Sequence, residues 1–109
     1  MSADDICEVV VTAPDPEWLA GFTRGLVAAR LAACGHTISQ IRSIYRWQGS
    51  VEDEAEARVA LHTRVSLVPR IVEYADQHHP YDVPCVIALP VVGGNPGYVQ
   101  WVLESTDPG

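Results

Sequence analysis

The feature that most restricts the fold is a pair of long strand-like segments between Ile38 and Thr63, joined by one short turn. Thr37 to Gln48 is rich in Ile, Tyr and Trp, which suit a pleated, half-buried surface. Gln48-Gly49-Ser50 reads as a turn. Val51 to Thr63 pulls two ways. Its Ala, Glu, Arg and Leu content favours helix. Its alternation favours strand, with Ala55, Ala57, Val59 and Leu61 interleaved with Glu54, Glu56, Arg58 and Ala60. The tight turn before it favours a hairpin partner, so a strand is expected. A strand of about 11 residues is about 36 Å long, and a domain of this length is about 34 Å across. The hairpin is therefore expected to overhang its own core. Strict alternation puts Ile38 and Ile44 on one side and Ile41, Tyr45 and Trp47 on the other. Large apolar groups on both faces of a free end mark a contact between chains, unless a terminal helix folds back over one face. Arg42 and Arg46 share a face of the first strand, and Glu52, Glu54 and Glu56 share a face of the second. Pairs between them, across the hairpin or a subunit boundary, are worth about 0–1 kcal/mol and set register more than stability.

The flanking segments complete an α+β pattern. Ile6 to Ala13 is a short β-branched strand. Pro14 stops it, and Asp15, Pro16 and Glu17 open a helix as cap, first-turn proline and dipole partner. Leu19, Phe22, Leu26, Ala29 and Ala33 follow helical spacing. Gly35 ends that helix or opens the next strand. Ser66 can cap a second helix with Val68, Ile71, Val72 and Ala75 on one face, Pro69 in its first turn and a stop near His78-His79-Pro80. Cys85 to Pro90 is a further buried strand. Gly93 to Pro96 caps a last helix carrying Tyr98, Trp101 and Val102. The order is the ferredoxin-like βαββαβ arrangement with a long central hairpin and a C-terminal helix.

With 109 residues and 48% hydrophobic content, one domain is expected over 1–109, with residues 1–5 and 105–109 as frayed tails. No apolar run approaches the roughly 20 residues of a membrane-spanning helix. The acidic Met-Ser-Ala-Asp-Asp start is unlike a signal peptide. The formal charge is −7, and the seven basic residues are scattered arginines, which gives no stripe for nucleic acid. Cys7, Cys34 and Cys85 are odd in number and widely spaced. They argue against a disulfide framework or a structural zinc site and read as small buried hydrophobes. No nucleophile–base pair, H-E-x-x-H or phosphate loop is present, so neither an enzyme nor an organic cofactor is expected.

His78 and His79 are the most ligand-like residues. Neutral imidazole suits Cu(II), which binds tightest among the common first-row divalent ions. Adjacent helical residues diverge by about 100°, so a shared ion requires a turn such as Pro80 provides. Alternatively His78 serves the helix C-terminal dipole and His79 packs ahead of the proline.

Leu31-Ala-Ala-Cys34, Ser43-Ile-Tyr-Arg-Trp-Gln-Gly49, His78-His-Pro-Tyr81, Val86-Ile-Ala-Leu-Pro90 and Asn95-Pro-Gly-Tyr-Val-Gln-Trp101 occur in this order after Thr12-Ala-Pro-Asp15. Together they resemble the CutA divalent-cation tolerance family over roughly residues 6–104. The resemblance implies a cytoplasmic, PII-like homotrimer without enzyme activity, tied to divalent-cation tolerance, with Cu(II) or another divalent cation as its ion. It implies a copper site at His78 and His79 joined by a cysteine, whose place here is held by Val11. Cys7, four residues earlier, lies roughly 13 Å away along the strand. Cys85 stands where a carboxylate is frequent, and a buried inert thiol is expected there. His62 stands where a lysine is usual, which replaces a fixed charge by a titrating one. Ile41, Tyr45, Arg46, Trp47, Tyr81 and Trp101 are expected at trimer contacts or in inter-subunit clefts. There Arg42 or Arg46 could meet an anion, as in a PII-like binding module without a direct metal role.

Overall fold

The strand β1 (Ile6–Ala13) is the expected β-branched run. The structure, a computed structural model, describes Ser2 and residues 5–108. Fraying of Met1, Ala3, Asp4 and Gly109 therefore lies outside the described residues. Asp15 caps helix α1 (Pro16–Ala28), its Oδ1 accepting from the Glu17 N–H at 3.1 Å. Leu19, Phe22 and Leu26 form the buried face. Ala29 and Ala33 fall outside the helix. Arg30 turns left-handed at φ 61°, while the Arg30 and Leu31 N–H groups donate to the Val27 and Leu26 carbonyls. This closes the helix as a Schellman motif with arginine where glycine is usual. Gly35 is thus the second residue of β2 (Cys34–Trp47), not a helix stop.

β2 pairs with β3 (Ser50–Arg64), so alternation prevails over helix propensity at Val51 to Thr63. A 3₁₀ turn (Val65–Leu67) leads into α2 (Val68–His78), followed by β4 (Val86–Pro90) and α3 (Pro96–Ser105). Ser66 does not cap α2. It lies inside the 3₁₀ turn, and its hydroxyl is buried without a hydrogen-bond partner among the described residues. Ile71 and Ala75 are fully buried, whereas Val72 sits at the rim, 37% exposed. The sheet order is β2-β3-β1-β4 with antiparallel neighbours, the ferredoxin-like α+β topology. Helices α1 and α2 cover one face, over Cys7, Val9, Val11, Ala57, Val59 and Leu61. Helix α3 covers one end of the other face through Val102, against Ile6 and Ala33.

The hairpin overhangs as its length requires. The molecule extends 43 × 25 × 22 Å, and β3 is largely buried from Glu56 to Arg64 but exposed over most of Ser50 to Ala55. Strict alternation fails at one place. Ile38 pairs with Arg58 and Ile41 with Glu56, so three steps on β2 match two on β3. This β-bulge at Ser39-Gln40 shifts the facing of everything beyond it. Directly paired residues share a face, so Ile38 joins Ile41, Tyr45 and Trp47, and Ile44 stands on the opposite side with Arg42 and Arg46. Glu52, Glu54 and Glu56 lie on the Tyr45 face, away from the arginines. Arg42 instead donates from Nε and Nη2 to both oxygens of Asp53, at 2.8 and 2.7 Å.

The turn places Gln48 at φ 47° and Gly49 at φ 85°, a type I′ geometry matched to the strand twist. Left-handed backbone costs a non-glycine residue about 1–2 kcal/mol, and asparagine tolerates it better. Gln48→Asn is expected to stabilise the protein by about 0.5–1 kcal/mol. A urea midpoint at fixed protein concentration reads this, and an unchanged midpoint would show that Gln48 is not strained.

Candidate metal centre

The sheet register brings together residues far apart in sequence. Cys34 lies opposite His62, and His62 lies opposite Glu8 on its other side. His36, two residues along β2, shares the face of Cys34. Gly35 between them points the other way, into α1. A Cβ there would fall 2.5 Å from Thr23 Cγ2 and 3.0 Å from Val59 Cγ2. Only glycine lets the helix approach this closely, and that approach fixes Cys34 and His36 on the opposite face. Two bonds tie the strand entrance to β3: the Ala33 N–H donates to the His62 carbonyl at 2.8 Å, and the Thr63 hydroxyl donates to the Leu31 carbonyl at 2.7 Å.

Helix α3 supplies the lid. Asn95 caps it, accepting from the Gly97 N–H at 2.9 Å. At its far end Arg30 donates to the Glu104 carbonyl at 2.9 Å and Arg64 Nε to Thr106 Oγ1 at 3.1 Å. Both guanidinium groups face the negative end of the helix dipole. Thr106 is 1% exposed, so the chain after α3 is anchored there and not loose. This places Tyr98 over Cys34 and His62, and Trp101 beside Tyr98 at a ring separation of 5.6 Å, partly exposed.

One ligand atom each of Cys34, His36 and His62 lies within 4.8 Å of the others. Cys34 Sγ is 3.8 Å from His62 Nδ1. Tetrahedral zinc with bonds of about 2.3 Å to sulfur and about 2.0 Å to nitrogen sets those atoms about 3.5 Å apart. The pair thus needs only a small adjustment. His62 Nε2 meets Glu8 Oε2 at 2.9 Å. With Nε2–H donating to the carboxylate, Nδ1 keeps its lone pair on the Cys34 side, the carboxylate–imidazole arrangement that orients metal ligands. The Tyr98 hydroxyl lies 2.5 Å from that Nδ1 and 3.2 Å from Cys34 Sγ. Burial first, and the bond to Cys34 second, push the Tyr98 phenol up to about 12. Thiolate with imidazole suits copper and zinc. Cysteine spacing had argued against such a centre because two of the three donors are histidines from separate strands.

His78 and His79 take different surroundings. His79 is buried. Its Nε2–H donates to the Thr12 carbonyl at 2.8 Å, and its Nδ1 accepts from the Tyr81 N–H at 3.0 Å. Its ring lies edge-on to Trp18 at 5.0 Å. Both nitrogens are therefore occupied by backbone groups. His78 is exposed, stacks on Tyr74 at 4.2 Å and donates from Nδ1 to the Tyr74 carbonyl at 2.8 Å. Val11 is fully buried in the core, as is Cys7, whose thiol burial pushes up to about 11.

Tyr45, Trp47 and Tyr81 do come together, around a groove of about 420 Å³ that Glu56 and Cys85 also line. Tyr81 donates to Glu56 at 2.9 Å and Tyr45 to Glu54 at 3.1 Å. Desolvation first, then these carboxylates, raise both phenols above their ordinary range. Arg42 and Arg46 lie on the opposite face, and the charged residues that line the groove are Glu56 and Asp82. Ile41 is half-buried beside the bulge. Cys85, expected to be a buried thiol, is exposed at the groove.

Sequence reasoning singled out Cys34 and His62 separately and passed over His36. A Cys-x-His pair on an alternating strand, beside a strand carrying a histidine, was the available signal.

The family model described as CutA1 divalent ion tolerance protein matches residues 7–105. Protein CutA of Mus musculus is 44% identical over 97 residues, covering 89% of this chain and 55% of the relative. The chain thus spans about half the length of that curated relative. The divalent-cation tolerance protein CutA of Thermus thermophilus is 38% identical over 98 residues, covering 90% of this chain and 95% of the relative. A solved structure of the Thermus thermophilus divalent cation tolerance protein superposes with a TM-score of 0.91 at 36% identity, covering 94% of this chain and 99% of that one. CutA1 from Oryza sativa gives 0.90 at 38% identity, covering 94% of each chain. With fold, chain-long similarity and the ordered segments in agreement, the chain belongs to the CutA1 divalent ion tolerance family.

Proposed function

We propose that the chain acts as a homotrimer that binds a divalent ion directly, copper or another borderline ion such as zinc, within the response to metal ions. The family is not one of enzymes. The observation that carries the metal role is the convergence of Cys34, His36 and His62, with Glu8 on the far nitrogen of His62. His78 offers an outward Nε2 as a weaker, exposed contact. His79 joins it only by giving up a backbone bond. Trimer formation draws on the overhanging hairpin, where Ile44 and Val51 are each 64% and Trp47 50% exposed. Cytoplasmic residence draws on the free thiols of Cys7, Cys34 and Cys85.

Titration of the purified protein with Zn(II) and Cu(II) tests the site. One ion per chain is expected, and the His36→Ala, His62→Ala double variant is expected to remove it. Binding that survives in that variant and disappears in His78→Ala would move the site to the α2 end. Light scattering is expected to give a mass three times 11.9 kDa, and a monomer would refute the assembly.

The acidic groove favours a second reading, a binding module for a small organic cation held between Tyr45, Trp47 and Tyr81 and facing Glu56. A thermal-shift screen of amines at fixed protein concentration addresses it, and no stabilisation would count against it.

A further inference from the structure

We propose that the Cys34–His36–His62 centre is closed by a fourth protein donor, the phenolic oxygen of Tyr98, so that a bound ion joins the sheet to helix α3. The inference rests on the metal reading above. Three observations lead to it. First, the Tyr98 oxygen lies within 3.2 Å of Cys34 Sγ and 2.5 Å of His62 Nδ1, beside two of the three atoms that would hold the ion. Tetrahedral ligands to one zinc stand about 3.3–3.5 Å apart, so this oxygen already occupies ligand territory. An ion entering between sulfur and nitrogen must either bind it or push it out.

Second, the His62 lone pair is tied up by the Tyr98 hydroxyl, because Nε2–H is committed to Glu8. Binding therefore has to replace that O–H···N bond. In the balanced step the ion takes the Nδ1 lone pair, the phenol releases its proton to water, and the Cys34 thiol releases a second. Thiolate and phenolate then offset the two positive charges, and His36 and His62 stay neutral. A centre with no net charge is the arrangement a partly desolvated site tolerates best.

Third, Tyr98 is not on a free loop. It lies in the first turn of α3, which Asn95 caps within the helix, and α3 is fixed to the rest of the chain by Val102 packing on Ile6 and Ala33 and, at its far end, by the Arg30 and Arg64 contacts. The oxygen is delivered by a fixed element, as a closed, four-donor site requires.

Co(II), which reports coordination through its visible bands, is the probe. Wild-type protein loaded with Co(II) is expected to keep its spectrum when azide is added, because no coordination position is open. Tyr98→Phe keeps the ring and loses the donor. It is expected to bind Co(II) at least about 10-fold more weakly and to show an azide-dependent spectral change. In wild type, Zn(II) loading is also expected to produce a tyrosinate difference band in the near ultraviolet and to slow hydrogen exchange in α3. These wild-type readings stand even if Tyr98→Phe folds poorly. Wild-type protein that binds no ion, or whose binding survives Cys34→Ala, overturns the metal reading itself. Wild-type protein that binds but answers to azide and shows no tyrosinate band overturns only the closure by Tyr98 and leaves an open three-donor site.

Discussion

Cys34→Ala is expected to weaken Zn(II) or Co(II) binding by about 100-fold. A four-donor structural zinc site is worth about 10–16 kcal/mol, so one donor of four carries about 3 kcal/mol, or about 100-fold at 1.4 kcal/mol per decade. The thiolate is also the one soft donor in the set. Cys34→Ser should keep an oxygen at the position yet lose the sulfur-to-cobalt charge-transfer band. Glu8→Gln should cost less, about 10-fold, because Glu8 orients His62 without touching the ion. Competition against a chromophoric chelator measures all three. A Cys34→Ala affinity within threefold of wild type would remove the sulfur from the site.

His79→Ala is expected to lower fold stability by about 3 kcal/mol while leaving ion affinity at the Cys34 centre unchanged. The ring bridges the Thr12 carbonyl of β1 and the Tyr81 N–H after α2. Its loss orphans two partly buried backbone groups at about 1–3 kcal/mol each and opens a cavity beside Trp18. His78→Ala removes an exposed ring and should change stability by no more than about 0.5 kcal/mol. Reversible unfolding at one protein concentration compares the two, since the proposed assembly would make the midpoint concentration-dependent. A His79→Ala protein as stable as wild type but unable to bind metal would make His79 a ligand rather than a bridge. The two neighbouring histidines are therefore not equivalent probes, and a loss of metal binding on changing both needs a stability measurement beside it.

Much of the fold was readable because local signals agreed. Asp15 and Asn95 cap the helices their positions suggested, and the alternation around Ala57, Val59 and Leu61 correctly outweighed helix propensity. The errors are equally physical. Ala29 and Ala33 keep helical spacing, but a left-handed Arg30 stops the helix between them. Ser66 had the right residue type for a cap, yet a 3₁₀ turn intervenes. Thr106 looked like tail until Arg64 and the Val102 carbonyl gave its hydroxyl partners. The candidate centre was hardly readable at all. Its members come from β1, β2, β3 and α3, and only the register that sets Cys34 beside His62 and His62 beside Glu8 makes them neighbours. His62 drew notice as an unusual residue, but nothing in the linear order connects position 62 to positions 8 and 98.

The bulge at Ser39-Gln40 has a consequence for how relatives of this chain can vary in length. It separates the hairpin into an inner half, whose facing is dictated by the core, and an outer half, whose facing is dictated by its pairing with β3, the surplus residue being absorbed between them. Loss of that residue would restore one-to-one pairing with Ile41 still opposite Glu56 and Tyr45 opposite Glu52, so Tyr45 and Trp47 would keep their side by plain alternation, with the core and the Cys34 centre untouched. Gain or loss of a matched residue pair, one on each strand near Gln48-Gly49, would shorten or lengthen the arm without exchanging its faces. Length changes in this arm should therefore be tolerated when they are symmetric about the turn or remove the bulge's surplus residue, and purged when they fall singly between Ile41 and the turn, where they break the one-to-one pairing.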